Sequence, residues 1–183
     1  NVYDEERTAI LNFIRDQNID NDMLLCGDAH MVFASDLAPD PFDGALYNGT
    51  TGEGSVCVEY LPSGVSSPNV DERGVPYNLN GLLTSISAGL NPHQRYTHFM
   101  DNGYGVIHLR PDSIVASTWL LDVQTSNTNH YLADEQVLLN GANHWKRAGD
   151  TYVQTTEEVA ETGLVRLFTH PATSELTVEA LSR

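Results

Sequence analysis

Asp28 and His30 place a carboxylate and an imidazole two residues apart, directly after the apolar run of residues 23–26 and Gly27. Four apolar residues in a row are typical of a buried strand that is covered on both faces of its sheet. In open α/β sheets, ligands and metals bind beyond the carboxyl ends of such strands. If the backbone stays extended, both side chains point to one side, and one metal ion could bind both. The alternative, a turn-capping Asp28 and a surface His30, stays open at this point.

The segment before this pair is predicted to form a helix and then the strand. Residues 4–17 begin with acidic side chains, which the helix dipole favours in a first turn. Four apolar residues recur at helical spacing and are predicted to pack in the core: Ala9, Ile10, Phe13 and Ile14. A fully buried strand needs parallel neighbours, and no earlier βαβ unit supplies them. We therefore expect the chain to be the second part of a larger α/β fold.

The rest of the chain alternates apolar segments with turns rich in Gly, Pro and Asn. Strands are predicted at residues 55–61, 103–109, 114–123, 163–168 and 176–181, of which 103–109 and 114–123 form a hairpin. Residues 31–37 favour a short helix or an irregular wall, 81–89 favour a helix, and 131–147 favour helix or coil. The small residues of 63–69 predict a turn that either contacts a ligand closely or simply ends a strand.

The composition limits the classes of partner. Among 183 residues, 25 Asp and Glu outnumber nine Lys and Arg, for a formal net charge of -16. Nucleic acids and anionic membrane surfaces are bound through basic patches, so the charge argues against both. No apolar run approaches the length of a membrane-spanning helix, so no membrane span is predicted. Cys26 and Cys57 both lie in apolar segments and are predicted to be free, buried thiols rather than a disulfide.

Four segments of the sequence carry a resemblance: Gly27-Asp28-Ala29-His30 with its preceding helix, Ser35-Asp36-Leu37, the strand and turn from Glu59 to Pro68, and Asn91-Pro92-His93-Gln94-Arg95-Tyr96 followed by Gly103-Tyr104. In this order they resemble the carboxyl-terminal half of the alkaline phosphatase D (PhoD-like) metallophosphatase family. The resemblance covers residues 3 to about 123, so we predict that residues 1–123 are half of the family's domain. Residues 124–183 are then a carboxyl-terminal extension packed on it.

The resemblance implies an α/β/β/α metallophosphatase sandwich that hydrolyses phosphomonoesters or phosphodiesters in the periplasm or outside the cell. It implies Ca²⁺ and Fe³⁺ as metals, with other divalent metals as alternatives, and a phosphate ester as the substrate. By this carry-over, Asp28 and His30 would have catalytic roles as metal ligands or as residues that directly contact the ligands. Asn91 and His93 would border the same cleft as further ligands, and Arg95 would contact the phosphate.

One departure from the family pattern matters. The amino-terminal half of the family's domain, which supplies a first Asp-containing strand and further metal ligands, has no counterpart here. We therefore expect a partner, either an amino-terminal fragment of the same precursor or a companion chain. Two alternatives stay open: a non-catalytic binding or structural module that keeps the half-fold, and an ordinary calcineurin-like phosphoesterase, whose downstream ligands the sequence lacks.

Overall fold

The computed structural model describes residues 3–123, 129–147 and 150 in full, and the backbone of residues 164–169 and 176–181. The helices are α1 (Asp4–Asp16) and α2 (Asn80–Leu90), with a short 3₁₀ turn at Tyr77–Leu79. The strands are β1 (Met23–Leu25), β2 (Val32–Leu37), β3 (Cys57–Leu61), β4 (Gln94–His98), β5 (Asn102–Leu109), β6 (Ser113–Leu121), β7 (His130–Leu139), β8 (Leu164–Thr169) and β9 (Leu176–Leu181).

The strands of the described residues form two larger sheets and a separate pair. The first sheet has the order β1-β3-β2-β4, with β1 parallel to β3 and β2 antiparallel to both of its neighbours. The second sheet is the antiparallel meander β5-β6-β7. Strands β8 and β9 pair antiparallel with each other. The parallel neighbour of β1 therefore comes from later in the chain, not from an earlier βαβ unit.

A core between the two sheets holds them together. Its fully buried residues are Ala34, Val58, Tyr60, Ala116, Leu138 and Trp145. The Tyr60 ring lies directly against Gly105 of β5, where an added Cβ would come within 2.6 Å of a ring carbon. Only a glycine lets the two sheets approach this closely at that point.

Helix α1 packs on the opposite face of the first sheet, but not through the predicted stripe. Leu11 and Ile14 are buried against Leu37, Val56 and Cys57. Of the predicted core stripe only Ile14 is buried, while Ala9 is exposed and Ile10 and Phe13 are 55% and 61% exposed. The prediction was wrong for those three residues. Helix α1 has apolar residues on two of its sides, and the described chain covers only one of them.

Two segments that were predicted as helix or coil are strands. Residues 31–37 include β2 (Val32–Leu37), which pairs with β3 on one side and with β4 on the other. Residues 131–147 overlap β7 (His130–Leu139), which pairs along its length with β6. In both segments, hydrogen bonds to neighbouring strands outweighed the local sequence preference for helix or coil. The predictions of the two helices, the β5–β6 hairpin, and the strands β3, β8 and β9 are confirmed, with ends shifted by a few residues.

A buried carboxylate joins the first sheet to the segment after β7. Asp36 on β2 is fully buried and forms an ion pair with the guanidinium of Arg147, itself 8% exposed. The Tyr47 hydroxyl donates to Asp36 Oδ2 at 2.7 Å, and the Trp145 backbone N–H donates to Oδ1 at 2.9 Å. The charge is thus fully paired inside the sandwich, which a buried carboxylate requires.

Strand β1 lies at an open edge of the first sheet, and the prediction that it is buried on both faces was wrong. Leu25 is 46% exposed and Leu24 is also exposed, because β3 pairs with one edge of β1 and no described strand pairs with the other. We call this unpaired strand, with its exposed Leu24 and Leu25, the open edge; Ile10 and Phe13 of α1 are exposed apolar residues as well. Among the described residues, no helix is long and apolar enough to cross a membrane.

Candidate functional site

The chain leaves β1 in a tight turn formed by residues 27–30, which we call the Asp28–His30 turn. The Ala29 N–H donates to the Gly27 carbonyl at 2.9 Å around Asp28, whose φ is 71°, and this is a γ-turn. His30 also has a positive φ, 59°. The backbone is therefore not extended, contrary to the premise from which we expected both side chains to point to one side. Two neighbouring non-glycine residues with positive φ are a strained arrangement of the kind that clusters at functional sites.

The environment of the His30 ring assigns its two nitrogens different roles. Nδ1 lies 3.1 Å from the carbonyl oxygen of Pro68. A carbonyl oxygen only accepts, so this contact favours the tautomer in which Nδ1 carries the proton and donates it. The neutral ring then has its lone pair on Nε2, which is the atom that can bind a metal. A backbone carbonyl on the other ring nitrogen is the usual way in which a metal-binding histidine is oriented.

The residues of this turn suit part of a metal site. Asp28 is exposed and, within the described part of the chain, its carboxylate makes no hydrogen bond or ion pair, so both oxygens are available. A carboxylate oxygen suits Ca²⁺ or ferric iron, and an imidazole suits a transition metal. However, no group of three or more His, Cys, Asp or Glu residues that could hold a metal occurs among the described residues. The turn could therefore supply two metal ligands, but it is not a complete centre within the described residues.

The turn after β3 holds this site from one side. Ser63 donates from its hydroxyl to the Asp101 carbonyl at 2.9 Å and lies 3.4 Å from the His30 carbonyl. The buried amide of Asn69 donates to the Met100 carbonyl, and Asn102 donates to the carbonyls of Gly64 and Ser67. The turn is thus tied to the segment between β4 and β5. This turn was predicted either to contact a ligand or simply to end a strand. In the described structure it presents the Pro68 carbonyl to His30, which is a structural role.

Asn91 and His93 lie away from the Asp28–His30 turn. In the β2–β4 pairing, Val32 lies opposite His98, whereas the Asp36 N–H donates to the His93 carbonyl. The turn leads into the Val32 end of β2, and His93 lies at the other end, about 13 Å along the strand. The Asn91 side chain donates to the Ser87 carbonyl at the end of α2. The structure therefore does not bring these two predicted ligands to Asp28 and His30.

His93 is instead a partly buried residue beneath residues 38–54. Its ring makes an edge contact with Phe42, with centroids 5.6 Å apart, and its buried Nδ1 has no hydrogen-bond partner in the described residues. Burial and the nearby Arg7 lower the pKa of His93, against the opposing effect of Asp36. The ring is therefore neutral near pH 7, with no cationic role.

Arg95 lies in the same region as His93, and not at the Asp28–His30 turn. Its guanidinium donates to the Gly49 carbonyl at 2.8 Å, which ties β4 to the 38–54 loop. Burial lowers the pKa of Arg95, and the nearby Arg147 lowers it further, while Asp36 opposes both effects. The predicted phosphate contact is therefore not brought to the predicted metal ligands.

Sequence reasoning missed a polar cluster that borders the turn. Asp101 Oδ2 lies 2.8 Å from His98 Nε2, accepts a hydrogen bond of 2.8 Å from the Tyr77 hydroxyl, and lies 3.4 Å from the Tyr131 hydroxyl. The Ser63 hydroxyl connects the Asp101 backbone to His30. The only sequence signal was the spacing of His98 and Asp101 just after the Asn91–Tyr96 segment. Tyr77 and Tyr131 come from segments too distant to be associated without the fold.

Burial raises the pKa of Asp101, but hydrogen bonds from His98 and Tyr77 outweigh burial, so the net pKa lies below the ordinary carboxyl value. A lowered folded-state pKa means that ionised Asp101 stabilises the fold at neutral pH, and that this stabilisation disappears as the pH falls through the lowered pKa. Tyr77→Phe removes a donor to the ionised form. We expect the pKa of Asp101 to rise and the free energy of unfolding at pH 7 to fall by about 1 kcal/mol.

The measurement is an NMR titration of the Asp101 carboxyl carbon, with urea unfolding at several pH values. The difference in stability between Tyr77→Phe and wild type should shrink as the pH falls below the folded-state pKa. Tyr131→Phe, which removes the longer contact of 3.4 Å, should raise the pKa less and is the matched control. An unchanged Asp101 pKa in Tyr77→Phe would show that the phenol does not stabilise the carboxylate.

Both cysteines are free, as predicted, but only Cys57 is buried. Cys26, immediately before the turn, is exposed, and its thiol lies 3.2 Å from Glu59 Oε1. Partial desolvation of the sulfur and the hydrogen bond to Glu59 raise the pKa of Cys26 to about 12. Burial raises the pKa of Cys57 to about 12 as well. At neutral pH both groups are thiols, so in the described fold neither is an activated nucleophile.

Comparison with known proteins identifies what this half-fold is similar to. The family model of the PhoD-like phosphatases matches residues 1–118. A solved structure of PhoD is similar over 81% of this chain, with a TM-score of 0.56 at 19% sequence identity. The match covers 26% of that protein, so the chain spans about a quarter of its length. No curated protein matches the sequence. The predicted fold class, part of an α/β metallophosphatase-like domain, is confirmed at this level.

Proposed function

The chain belongs to the PhoD-like phosphatase family, and we propose that it is the carboxyl-terminal half of a metal-dependent hydrolase of phosphomonoesters or phosphodiesters. The Asp28–His30 turn is the observation that carries the proposal. It holds a carboxylate without a partner in the described residues and a histidine whose Nδ1 faces a carbonyl, on a backbone with positive φ at both residues. Non-glycine residues with positive φ are uncommon, and two of them within three positions beside these side chains support a functional role for the turn.

In this proposal Asp28 and His30 Nε2 bind the metals, and calcium and iron are the ions that the family suggests. Bound metals would clamp the phosphoryl oxygens and offset the charge that develops on the leaving group. This chain's own residues orient the ligands. The Pro68 carbonyl holds the His30 ring, Ser63 holds the His30 backbone, and the cluster around Asp101 holds Ser63. The remaining ligands would come from the amino-terminal half.

The amino-terminal half, on the same precursor or on a companion chain, is proposed to cover the open edge. Strand β1 has an unpaired edge among the described residues, and its Leu24 and Leu25 are exposed. Helix α1 also exposes the apolar Ile10 and Phe13. An unpaired strand next to an exposed apolar surface is a template for a further strand and its covering helix. Such an addition would also bring new residues to the carboxyl end of β1, where Asp28 lies. A periplasmic or extracellular location is part of the proposal.

The test is to purify the assembly natively through a tag on this chain and to determine its components and metal content. Intact mass spectrometry identifies any companion, and elemental analysis measures iron and calcium. Hydrolysis of p-nitrophenyl phosphate and bis(p-nitrophenyl) phosphate is then assayed before and after chelation. We expect a companion carrying the amino-terminal half, both metals, and hydrolysis that chelation abolishes and metal restores. A metal-free chain without a companion and without hydrolysis would contradict the proposal.

A non-catalytic module is the second candidate. Its supporting observation is that the described residues hold no group of three metal ligands. This candidate predicts a stable assembly that neither binds calcium or iron at stoichiometric levels nor loses stability on chelation. Metal analysis therefore separates the two candidates without an activity assay.

A further inference from the structure

Arg73 lies beside the Asp28–His30 turn, and the predicted function did not include it. Its guanidinium Nη2 is 3.4 Å from His30 Nδ1, and the residue is exposed. A cation next to a predicted metal ligand is unusual in a chain with only nine Lys and Arg and a formal net charge of -16. The structure around Arg73 explains why this cation lies beside His30.

The backbone fixes the position of Arg73. Residues 70–75 form a compact turn, in which the Val75 N–H donates to the Val70 carbonyl at 3.1 Å and the Gly74 N–H donates to the Asp71 carbonyl at 2.9 Å. Gly74, with φ of 93°, closes the turn directly after Arg73. The turn follows Asn69, whose buried side chain is bonded to the Met100 carbonyl. Arg73 thus extends from an anchored turn and not from a free loop.

The contact between Arg73 and His30 does not satisfy the guanidinium. The Pro68 carbonyl, at 3.1 Å, is the shorter of the two contacts of His30 Nδ1 and favours the tautomer with the proton on that atom; in this tautomer Nδ1 has no lone pair for Arg73. The ion pairs within the described residues do not include Arg73. A guanidinium has five N–H donors in a planar fork, and these donors remain available beside the turn.

Other arginines of the described chain are used differently. Arg7 donates to the carbonyls of Ala38 and Pro39, Arg95 to that of Gly49, and Arg147 to buried Asp36. Each of these guanidinium groups holds parts of the fold together. Arg73 has no such role in the described residues, and it lies at the site where a phosphate ester would bind.

We propose that Arg73 binds the phosphoryl oxygens of the ester at the Asp28–His30 turn, the role that the sequence resemblance assigned to Arg95. The two ends of a guanidinium fork match two oxygens of a tetrahedral phosphate, and such charge-assisted hydrogen bonds are the strong ones. This inference rests on the proposed function, because it places the phosphate beside the ligands of the proposed metals. Arg73 also supplies a cation that attracts an anionic ester to an acidic protein.

The experiment compares Arg73→Ala and Arg73→Lys in the native assembly of this chain with its amino-terminal half. The dissociation constant of inorganic phosphate is measured by equilibrium dialysis, and kcat/KM is measured for p-nitrophenyl phosphate. We expect Arg73→Ala to raise the phosphate dissociation constant about 10- to 100-fold and to lower kcat/KM by a similar factor. Arg73→Lys should recover part of the loss, because an ammonium keeps the charge but not the fork.

Arg110→Ala is the matched control. Arg110 is exposed in the β5–β6 turn, at the far end of β5 from Asn102. Its replacement should leave the phosphate dissociation constant and kcat/KM within about twofold of wild type. If the Arg73→Ala assembly hydrolyses the ester and binds phosphate as tightly as wild type, the Arg73 inference is overturned and the proposed function stands. A wild-type assembly that neither binds phosphate nor hydrolyses the ester would overturn both.

Discussion

Asp28→Gly is expected to lower kcat/KM for ester hydrolysis at least about 100-fold while leaving the fold as stable as wild type or more stable. Replacing residues that only orient metal ligands already lowers activity or metal affinity 10- to 100-fold, and Asp28 is proposed to be a ligand itself. Its φ of 71° is strained for an aspartate and free of strain for a glycine. Relief of the backbone strain stabilises the folded state, whereas the greater conformational freedom of glycine in the unfolded chain opposes this gain. We therefore expect the free energy of unfolding to rise by about 0 to 1 kcal/mol.

The two effects are measured separately, by steady-state kinetics of the native assembly and by urea unfolding. Asn18→Gly is the matched control, because Asn18 also has a positive φ, 51°, but lies exposed in the turn after α1. That variant should gain similar stability and keep full activity. If Asp28→Gly retains activity, Asp28 is not a metal ligand. If it loses several kcal/mol of stability, the carboxylate serves the fold rather than the site.

Arg147→Met is expected to lower the free energy of unfolding by about 3 to 5 kcal/mol, the largest stability effect of any single substitution considered for this chain. The substitution keeps most of the side-chain volume but leaves Asp36 as a fully buried carboxylate without its cation. The remaining donors to Asp36 are the Tyr47 hydroxyl and the Trp145 N–H. They do not replace the lost charge, and domains of this size are stable by only about 5 to 15 kcal/mol.

A second variant separates the loss of the pair from the loss of packing. Asp36→Asn combined with Arg147→Met removes both charges and leaves an amide that can still bond Tyr47 and Trp145. We expect this double variant to be about 2 kcal/mol more stable than Arg147→Met alone. Arg110→Met, at an exposed position, should stay within about 0.5 kcal/mol of wild type. A double variant as unstable as Arg147→Met would show that packing, and not the unpaired charge, explains the effect.

Elements with strong local signals were predicted correctly. Helix α1 has an acidic first turn and apolar residues at helical spacing, and the β5–β6 hairpin has alternating residues around a proline-containing turn. Strands β2 and β7 were not predicted, because their local sequence carries no clear alternation and their pairing with β3, β4 and β6 is decided by the fold. Ile10 and Phe13 of α1 were wrongly predicted to lie in the core. Helical spacing shows that a helix has an apolar side, but not whether another element covers that side.

The candidate site divides in the same way. Residue types and their order were enough to predict that Asp28 and His30 follow a strand and that the chain resembles part of a metallophosphatase. The strained turn between them and the orientation of His30 by Pro68 became visible only in the fold. The fold also placed Arg73 there while leaving Arg95 at the other end of β2. These contacts join residues tens of positions apart, and their geometry depends on strand register and loop anchoring, which no local pattern encodes.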